Sequence, residues 1–185
     1  MFKKWFGKQQ PKEETITAPL DGTIMRLEDV PDPVFAQKMM GDGLAIDPAD
    51  GDVVAPVDGE IVQLFPTKHA IGLRSEAGVE LLIHVGIDTV SMNGEGFAYV
   101  KAGDRVKRGD RLLSIDLPLV REKAKSAVTP IIITNGDALE NLKKKAEGAA
   151  AKGDTALISS EDEIRAAKEH LLCGFFPHPD DKSWN

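Results

Sequence analysis

Glycine and proline recur every several residues from Pro19 to Gly109, and the runs between them are short and β-rich: "GTIMRL", "GDVVAPV", "GEIVQLF" and "RLLSID". Punctuation at that spacing leaves no room for long helices and dictates many short strands. A mainly β fold follows, an antiparallel β-sandwich or barrel with short helices. An internal echo narrows it further. "APLDGTIMRL" (Ala18 to Leu27) and "APVDGEIVQL" (Ala55 to Leu64) share the pattern Ala-Pro-x-Asp-Gly-x-Ile-x-x-Leu, while "GDRVKRGDRLLSID" from Gly103 resembles "GDGLAIDPADGDVV" from Gly41 more loosely. An Asp-Gly step between apolar segments is a hairpin signal, so a duplicated hairpin motif is expected. Two helical segments remain: "PLVREKAK", a short amphipathic piece, and "SSEDEIRAAKEHLL", which opens with a serine N-cap and an acidic first turn.

One of the most apolar runs, "VELLIHVGI", holds a histidine. Strand alternation places Val79, Leu81, Ile83, Val85 and Ile87 on one face and Glu80, Leu82, His84, Gly86 and Asp88 on the other. Upstream, "HAIGLR" also reads as a strand, and "SEAG" between the two has the composition of a four-residue hairpin loop. If Arg74 stands opposite Val79, His69 stands opposite His84 and Thr67 opposite Gly86. Opposed residues have Cβ atoms about 4.5–5.5 Å apart, so the imidazoles would touch; a slip of one residue would send them to different faces. A single buried histidine is ordinarily a hydrogen-bonded structural residue. Two in contact repel when both are charged, so the pair is stable when one ring is neutral, when they share a proton, or when they hold a third body such as a metal or a phosphoryl group.

Composition bounds the rest. The chain has 185 residues, 42% of them hydrophobic and 29% charged, enough for one good core with tails. Cys173 is the sole cysteine, which excludes an intramolecular disulfide, and neither a signal peptide nor a membrane-spanning apolar run appears; a cytoplasmic protein is expected. The net charge of −7 argues against nucleic-acid binding and favours a basic protein partner or simple solubility.

Three regions are expected: an N-terminal arm (1–15), a β-sandwich domain (16–159) and a C-terminal extension (160–185) of helical or irregular character. In the arm, Phe2, Trp5 and Phe6 at helical spacing alternate with Lys3, Lys4 and Lys8. That is the composition of a weak amphipathic interfacial helix, through which residues 1–10 would associate with the inner face of a membrane, and equally of a disordered solubilising arm.

The segments "APLDG", "EDVPDPVFAQKMMGDGLAI", "VVAPVDGEI", "PTKHAI", "GVELLIHVGIDTV", "NGEGF", "GDRVKRGD" and "DLPLVREKAKSAVTPIII" together resemble enzyme IIA of the glucose family in the phosphoenolpyruvate-dependent sugar phosphotransferase system, from about Ile16 to Ser159. The resemblance implies a β-sandwich phosphocarrier that takes a phosphoryl group from phospho-HPr onto one histidine and passes it to a cysteine of a sugar-specific IIB/IIC component. By motif match the acceptor is His84, in "HVGID", its companion is His69, in "TKHA", and Thr67 orients the His69 ring. The resemblance also implies an apolar docking patch of Val34, Phe35, Met40, Phe65, Leu82 and Val90, with Asp32 and Asp88 set to meet arginines of the partner. Read singly, the apolar members are equally core residues and the two aspartates equally turn residues.

No cofactor is required for that transfer. An additional role in the resembled family is regulation of enzymes or transporters through the same patch, with zinc held between His69, His84 and a partner carboxylate. Two other readings fit less of the chain. A zinc peptidase of barrel type would suit "HVGID" but needs a His-x-His element, a spacing that His69, His84, His170 and His178 do not provide. A lipoyl or biotinyl carrier would modify Lys68 and leave His84 unexplained.

Overall fold

The computed structural model describes residues 14–99, 105–136, 140–145 and 147–161. In chain order the first strands are β1 (Glu14–Thr17), β2 (Gly22–Arg26), β3 (Asp42–Pro48), β4 (Asp52–Val54), β5 (Gly59–Leu64), β6 (Ala70–Ser75) and β7 (Glu80–His84). They are followed by β8 (Phe97–Tyr99), β9 (Arg105–Val106), β10 (Arg111–Ile115), β11 (Thr129–Ile133), β12 (Glu140–Lys144), β13 (Gly148–Ala150) and β14 (Ala156–Glu161). Helix α1 (Pro33–Ala36) lies between β2 and β3, and α2 (Leu117–Lys123) between β10 and β11. All strand pairings among the described residues are antiparallel, in keeping with the dense turn punctuation.

The strands form an eight-stranded sheet in the order β13-β2-β3-β11-β7-β6-β5-β9 and two three-stranded sheets, β1-β14-β12 and β4-β10-β8. The large sheet reads the same from either end, because β13-β2-β3-β11 is mirrored by β9-β5-β6-β7. Residue pairs confirm a pseudo-two-fold axis. Gly22 faces Pro48 as Gly59 faces Ser75. Counting along the strands from those pairs makes Ile131 the counterpart of Ile83, and these two face each other across β11 and β7, as an axis between them demands. The Ala-Pro segments obey the same operation: the Thr17 N–H donates to the Pro56 carbonyl at 3.0 Å, and the Val54 N–H to that of Pro19 at 2.9 Å. The echo is therefore a structural duplication, with the second copy (β4 to β10) inserted between β3 and β11 of the first.

Inside each copy the Asp-Gly step does something other than turn a hairpin. Gly22 and Gly59 begin strands, and a Cβ on either would lie 2.1 Å from a carbonyl oxygen of the neighbouring strand, Asp47 or Arg74. The glycine is there for close approach. The aspartate beside it receives a backbone N–H from a Gly-Asp loop: Asp21 Oδ1 from Lys152 and Asp58 Oδ1 from Arg108, both at 2.7 Å. The looser echo is not a structural repeat, since "GDGLAIDPADGDVV" spans β3 and β4, whereas β6 and β14 are the counterparts of β3 and β10.

The hairpin carrying the histidines differs from expectation by one residue. Arg74 faces Glu80 and Ala70 faces His84. The loop is shorter than "SEAG": the Ser75 N–H donates to the Val79 carbonyl at 2.9 Å, leaving Glu76, Ala77 and Gly78 at the tip, with Gly78 at φ 92°. A tight turn closed by a left-handed glycine is a favoured three-residue connection, and it outcompetes the four-residue one. The strands also end early. β6 begins at Ala70, preceded by Lys68 in the left-handed region (φ 56°), and β7 ends at His84, followed by Gly86 at φ 70°. Alternation stops at both places, so His69 is free to turn toward His84, and Ile87 joins the cluster of Leu27, Val30, Phe35, Ala70, Leu82 and Ile132 instead of the larger core holding Leu81, Ile83 and Val85.

The helix read in "PLVREKAK" is α2, capped by Asp116. α1 was not foreseen: Asp32 caps it by accepting the Val34 N–H at 2.8 Å, and Pro33 occupies its first turn, a standard start that the four-residue length hides from periodicity. Ser159, Ser160 and Glu161 lie in β14; residues 162–172 of "SSEDEIRAAKEHLL", Cys173 and the N-terminal aromatics and lysines lie outside the described residues.

Candidate functional site

β7 delivers His84 at its last position, and the turn entering β6 delivers His69. Their ring centroids are 4.9 Å apart at an interplanar angle of 69°, an edge-to-face contact. Phe35 of α1 lies tilted at 5.0 Å from the His84 ring and Phe65 at 5.4 Å from the His69 ring, so an aromatic side chain flanks each imidazole. His69 is buried and His84 half-buried.

Each Nδ1 is occupied. His84 Nδ1 lies 2.9 Å from the Gly86 carbonyl oxygen, which can only accept, so this nitrogen carries the proton and Nε2 keeps its lone pair. His69 Nδ1 is 2.5 Å from Thr67 Oγ1. Both rings favour neutrality. Burial, and then the charge of His84, push His69 down to about 4. Burial also lowers His84, opposed by the Gly86 carbonyl and by the negative charge of Asp32. The arrangement is thus two uncharged imidazoles in an apolar setting, one with an unprotonated nitrogen available to attack an electrophile. For a metal it is half a set: among the described residues no group of three or more His, Cys, Asp or Glu side chains is placed to hold one.

The other expected residues surround this pair unequally. Val34, Met40 and Val90 are 37%, 42% and 51% exposed, whereas Phe35 and Leu82 are buried in the smaller cluster and Phe65 packs partly against it. Asp32 serves as the α1 cap within electrostatic reach of His84, and Asp88 is an exposed left-handed residue (φ 62°) whose carbonyl accepts the Ser91 hydroxyl at 2.7 Å.

A family model described as phosphoenolpyruvate-dependent sugar phosphotransferase system, EIIA 1, matches residues 14–139. The chain belongs to that family. It is 57% identical over 168 residues to the PTS system glucose-specific EIIA component of Halalkalibacterium halodurans, covering 86% of this chain and 97% of that protein. With the protein of the same name from Bacillus cereus it shares 61% over 160 residues, covering 85% and 97%. The solved structure of glucose permease IIA from Mycoplasma capricolum superposes with a TM-score of 0.72 at 45% identity, covering 80% of this chain and 96% of that one. An EIIA component is a phosphocarrier in sugar uptake, and two neutral imidazoles under an apolar rim suit that work. No helix among the described residues is long and apolar enough to cross a membrane.

Sequence reasoning missed three features of the site. Among the described residues Met39 is the most exposed large apolar side chain, at 70%, and stands beside Val34, whose carbonyl accepts the Met39 N–H at 3.0 Å. Nothing in "KMMGDG" distinguishes Met39 from its neighbour Met40. The Gly86 carbonyl is a backbone partner with no sequence signature beyond a glycine two places after the histidine. Thr89, wholly buried, follows in "GIDTV".

Proposed function

We propose that His84 is the phosphoryl acceptor of this EIIA component, taking the group from phospho-HPr and yielding it to a cysteine of a IIB domain. The observation that carries this is the tie between His84 Nδ1 and the Gly86 carbonyl, which leaves Nε2 unprotonated and aimed away from the turn. Nε2 donates its lone pair to phosphorus as the bond from phosphorus to the donor breaks. The imidazole becomes cationic while Nδ1 keeps its proton, and the Gly86 carbonyl and Asp32 favour that charge. Phosphoryl transfer asks for alignment and for stabilisation of the equatorial oxygens. His69 supplies the second: with Thr67 donating its hydroxyl to Nδ1, His69 carries its proton on Nε2 as a donor to those oxygens. The apolar flanks limit hydrolysis of the phosphorus–nitrogen bond.

Val34, Met39, Met40 and Val90 form the exposed apolar rim on which HPr and the IIB domain dock, with Asp88 at its edge for a basic partner. The carrier works in the cytoplasm, residues 1–10 provide weak association with the inner membrane face, and glucose is the sugar served, as the relatives' names indicate for those proteins. Zinc enters only as a shared ion, the two imidazoles giving two of the roughly four ligands it takes and a partner carboxylate another. Incubation with labelled phosphoenolpyruvate, enzyme I and HPr tests the reading. Label is expected on His84; label elsewhere, or none, overturns it.

A further inference from the structure

Thr89 is fully buried, it is polar, and the transfer described above makes no use of it. Its hydroxyl donates to the Val85 carbonyl at 2.7 Å. Its methyl fills the space beside Gly86, where a Cβ would lie 2.5 Å from Thr89 Cγ2, 3.0 Å from the Ser126 carbonyl oxygen and 3.4 Å from Val120 Cγ1. A glycine at φ 70° between two free peptide planes would sample many conformations. Here both planes are tied. The upstream plane is held through the Val85 carbonyl by Thr89. The downstream plane, which contains the Gly86 carbonyl, is held by the Ile87 N–H donating to the Ser126 carbonyl at 2.8 Å. The Ile87 carbonyl in turn accepts the Lys125 N–H at 3.1 Å, and the Val85 N–H donates to the His69 carbonyl at 2.7 Å. Among these groups the Gly86 carbonyl alone faces an imidazole.

We propose that Thr89 is a positioning residue for the phosphoryl transfer: it locks the Val85–Ile87 turn so that the Gly86 carbonyl keeps the proton on His84 Nδ1 and leaves Nε2 as the attacking nitrogen. Neutral imidazole can carry its proton on either nitrogen, and the partner of one decides which lone pair is offered. Without the Thr89 hydroxyl the upstream plane is released and the Val85 carbonyl loses that donor. The Gly86 carbonyl, then anchored only through Ile87, shifts relative to Nδ1 as the Gly86 dihedrals relax, and the tautomer protonated at Nε2, which cannot attack, becomes populated. The proposal rests on His84 being the acceptor, but its readout does not.

The test compares Thr89→Val, which keeps the shape and loses the hydroxyl, with Thr89→Ser, which keeps the hydroxyl. Nitrogen-15 spectra of the His84 ring in the unphosphorylated protein report the tautomer with no donor present. Wild type and Thr89→Ser should show the proton on Nδ1 and Thr89→Val a mixture. Transfer from HPr should fall about tenfold in kcat in Thr89→Val with KM held, by analogy with the loss on removing the outer partner of a metal-binding histidine. An unchanged tautomer in folded Thr89→Val, or a change confined to KM, overturns the proposal. Should Thr89→Val fail to fold, Thr89→Ser decides, because a shifted tautomer there would mean the hydroxyl is not the lock. Label found on another residue of the wild-type protein would refute the acceptor assignment and leave the spectra to be judged alone.

Discussion

Where the second copy enters β6 with His69, the first copy begins β3 with Asp42, and where β7 ends on His84, β11 carries Ile132; the pairings Gly22–Pro48 and Gly59–Ser75 bring these positions into correspondence. Ile132 is wholly buried and joins the core that Leu82 and Phe35 share. Asp42 is the hub of an ion-pair network. Lys144 Nζ lies 2.7 Å from both of its oxygens, and Lys38 Nζ bridges it at 3.1 Å to Glu28 at 2.8 Å. One scaffold thus bears a rim closed by charge in the first copy and a rim of neutral imidazoles in the second. The comparison separates what the duplication is for structurally, namely strand register and the Asp–loop hydrogen bonds common to both copies, from what the second copy alone does.

The largest expected effect breaks the correspondence at its centre. His84→Gln removes the attacking nitrogen, and an amide nitrogen cannot replace it because its lone pair is delocalised, so acceptance of label from phospho-HPr should vanish. The counterpart change Ile132→Val should leave acceptance intact and cost about 0.5–1.5 kcal/mol in urea unfolding. His69→Gln falls between, since the nucleophile remains and glutamine still donates one hydrogen bond. Acceptance should persist while onward transfer to the IIB cysteine slows about 10²–10³-fold, the loss of one aligned donor. Loss of acceptance in all three variants would mean that the smaller core, not the histidines, governs the reaction.

How much of this contrast could be read in the sequence depends on which force fixes each feature. The many-stranded fold, the Ala-Pro-x-Asp-Gly repeat and α2 were legible because they rest on turn chemistry and periodicity, which are local. The contact of His69 with His84 was anticipated through a register one residue off. It is real because Lys68 and Gly86 break alternation at both strand ends, and nothing in "TKHA" or "HVGID" announces that. The correspondence of Asp42 with His69 was illegible for another reason: "GDGLAID" and "KHAIGLR" share no residue pattern, and only the pairing partners align them. The partly buried fate of the expected docking patch, with Phe35 and Leu82 inside, turns on α1, whose single turn leaves no periodic trace.

The two rims should also titrate in different windows. A histidine held below its ordinary 6.5 is favoured as the neutral form, so folding is supported fully above that value and loses support as acid charges the unfolded chain more readily than the folded one. His69, at about 4, should therefore contribute a fall in stability between pH 6.5 and 4, and His84 adds to it in the same direction. Asp42 acts in the same direction but at lower pH. Burial raises it, but Lys144, the Gly43 N–H and Lys38 outweigh that and hold it below its ordinary 3.8, so its support is complete above 3.8 and lost only in stronger acid. Melting temperature followed against pH should show the upper slope flattened by His69→Gln and the lower slope flattened by Asp42→Asn. A single shared slope abolished by either variant would join the two rims electrostatically. Acceptance of phosphate, for its part, should extend to lower pH than an ordinary imidazole would allow, because burial favours the neutral form of His84.

The smallest effect is expected from the ion pairs themselves. Lys144 and Asp42 keep 27% and 33% of their side chains exposed, so water and salt screen their attraction, and such pairs contribute about 0.2–1 kcal/mol. Lys144→Met should lower urea-unfolding stability by no more than that in dilute buffer, and the deficit should shrink at molar salt, where the screening length falls to about 3 Å. Transfer from HPr should be untouched, because the network lies at the counterpart of the histidine rim and not in it. One link could defeat this. Lys38 follows α1, whose Phe35 flanks His84, so the network anchors the segment that closes one side of the imidazole pair. If Lys144→Met slowed acceptance at low salt and high salt restored neither rate nor stability, the rim of the first copy would be holding α1 against the second, and the division of labour between the copies would have to be redrawn.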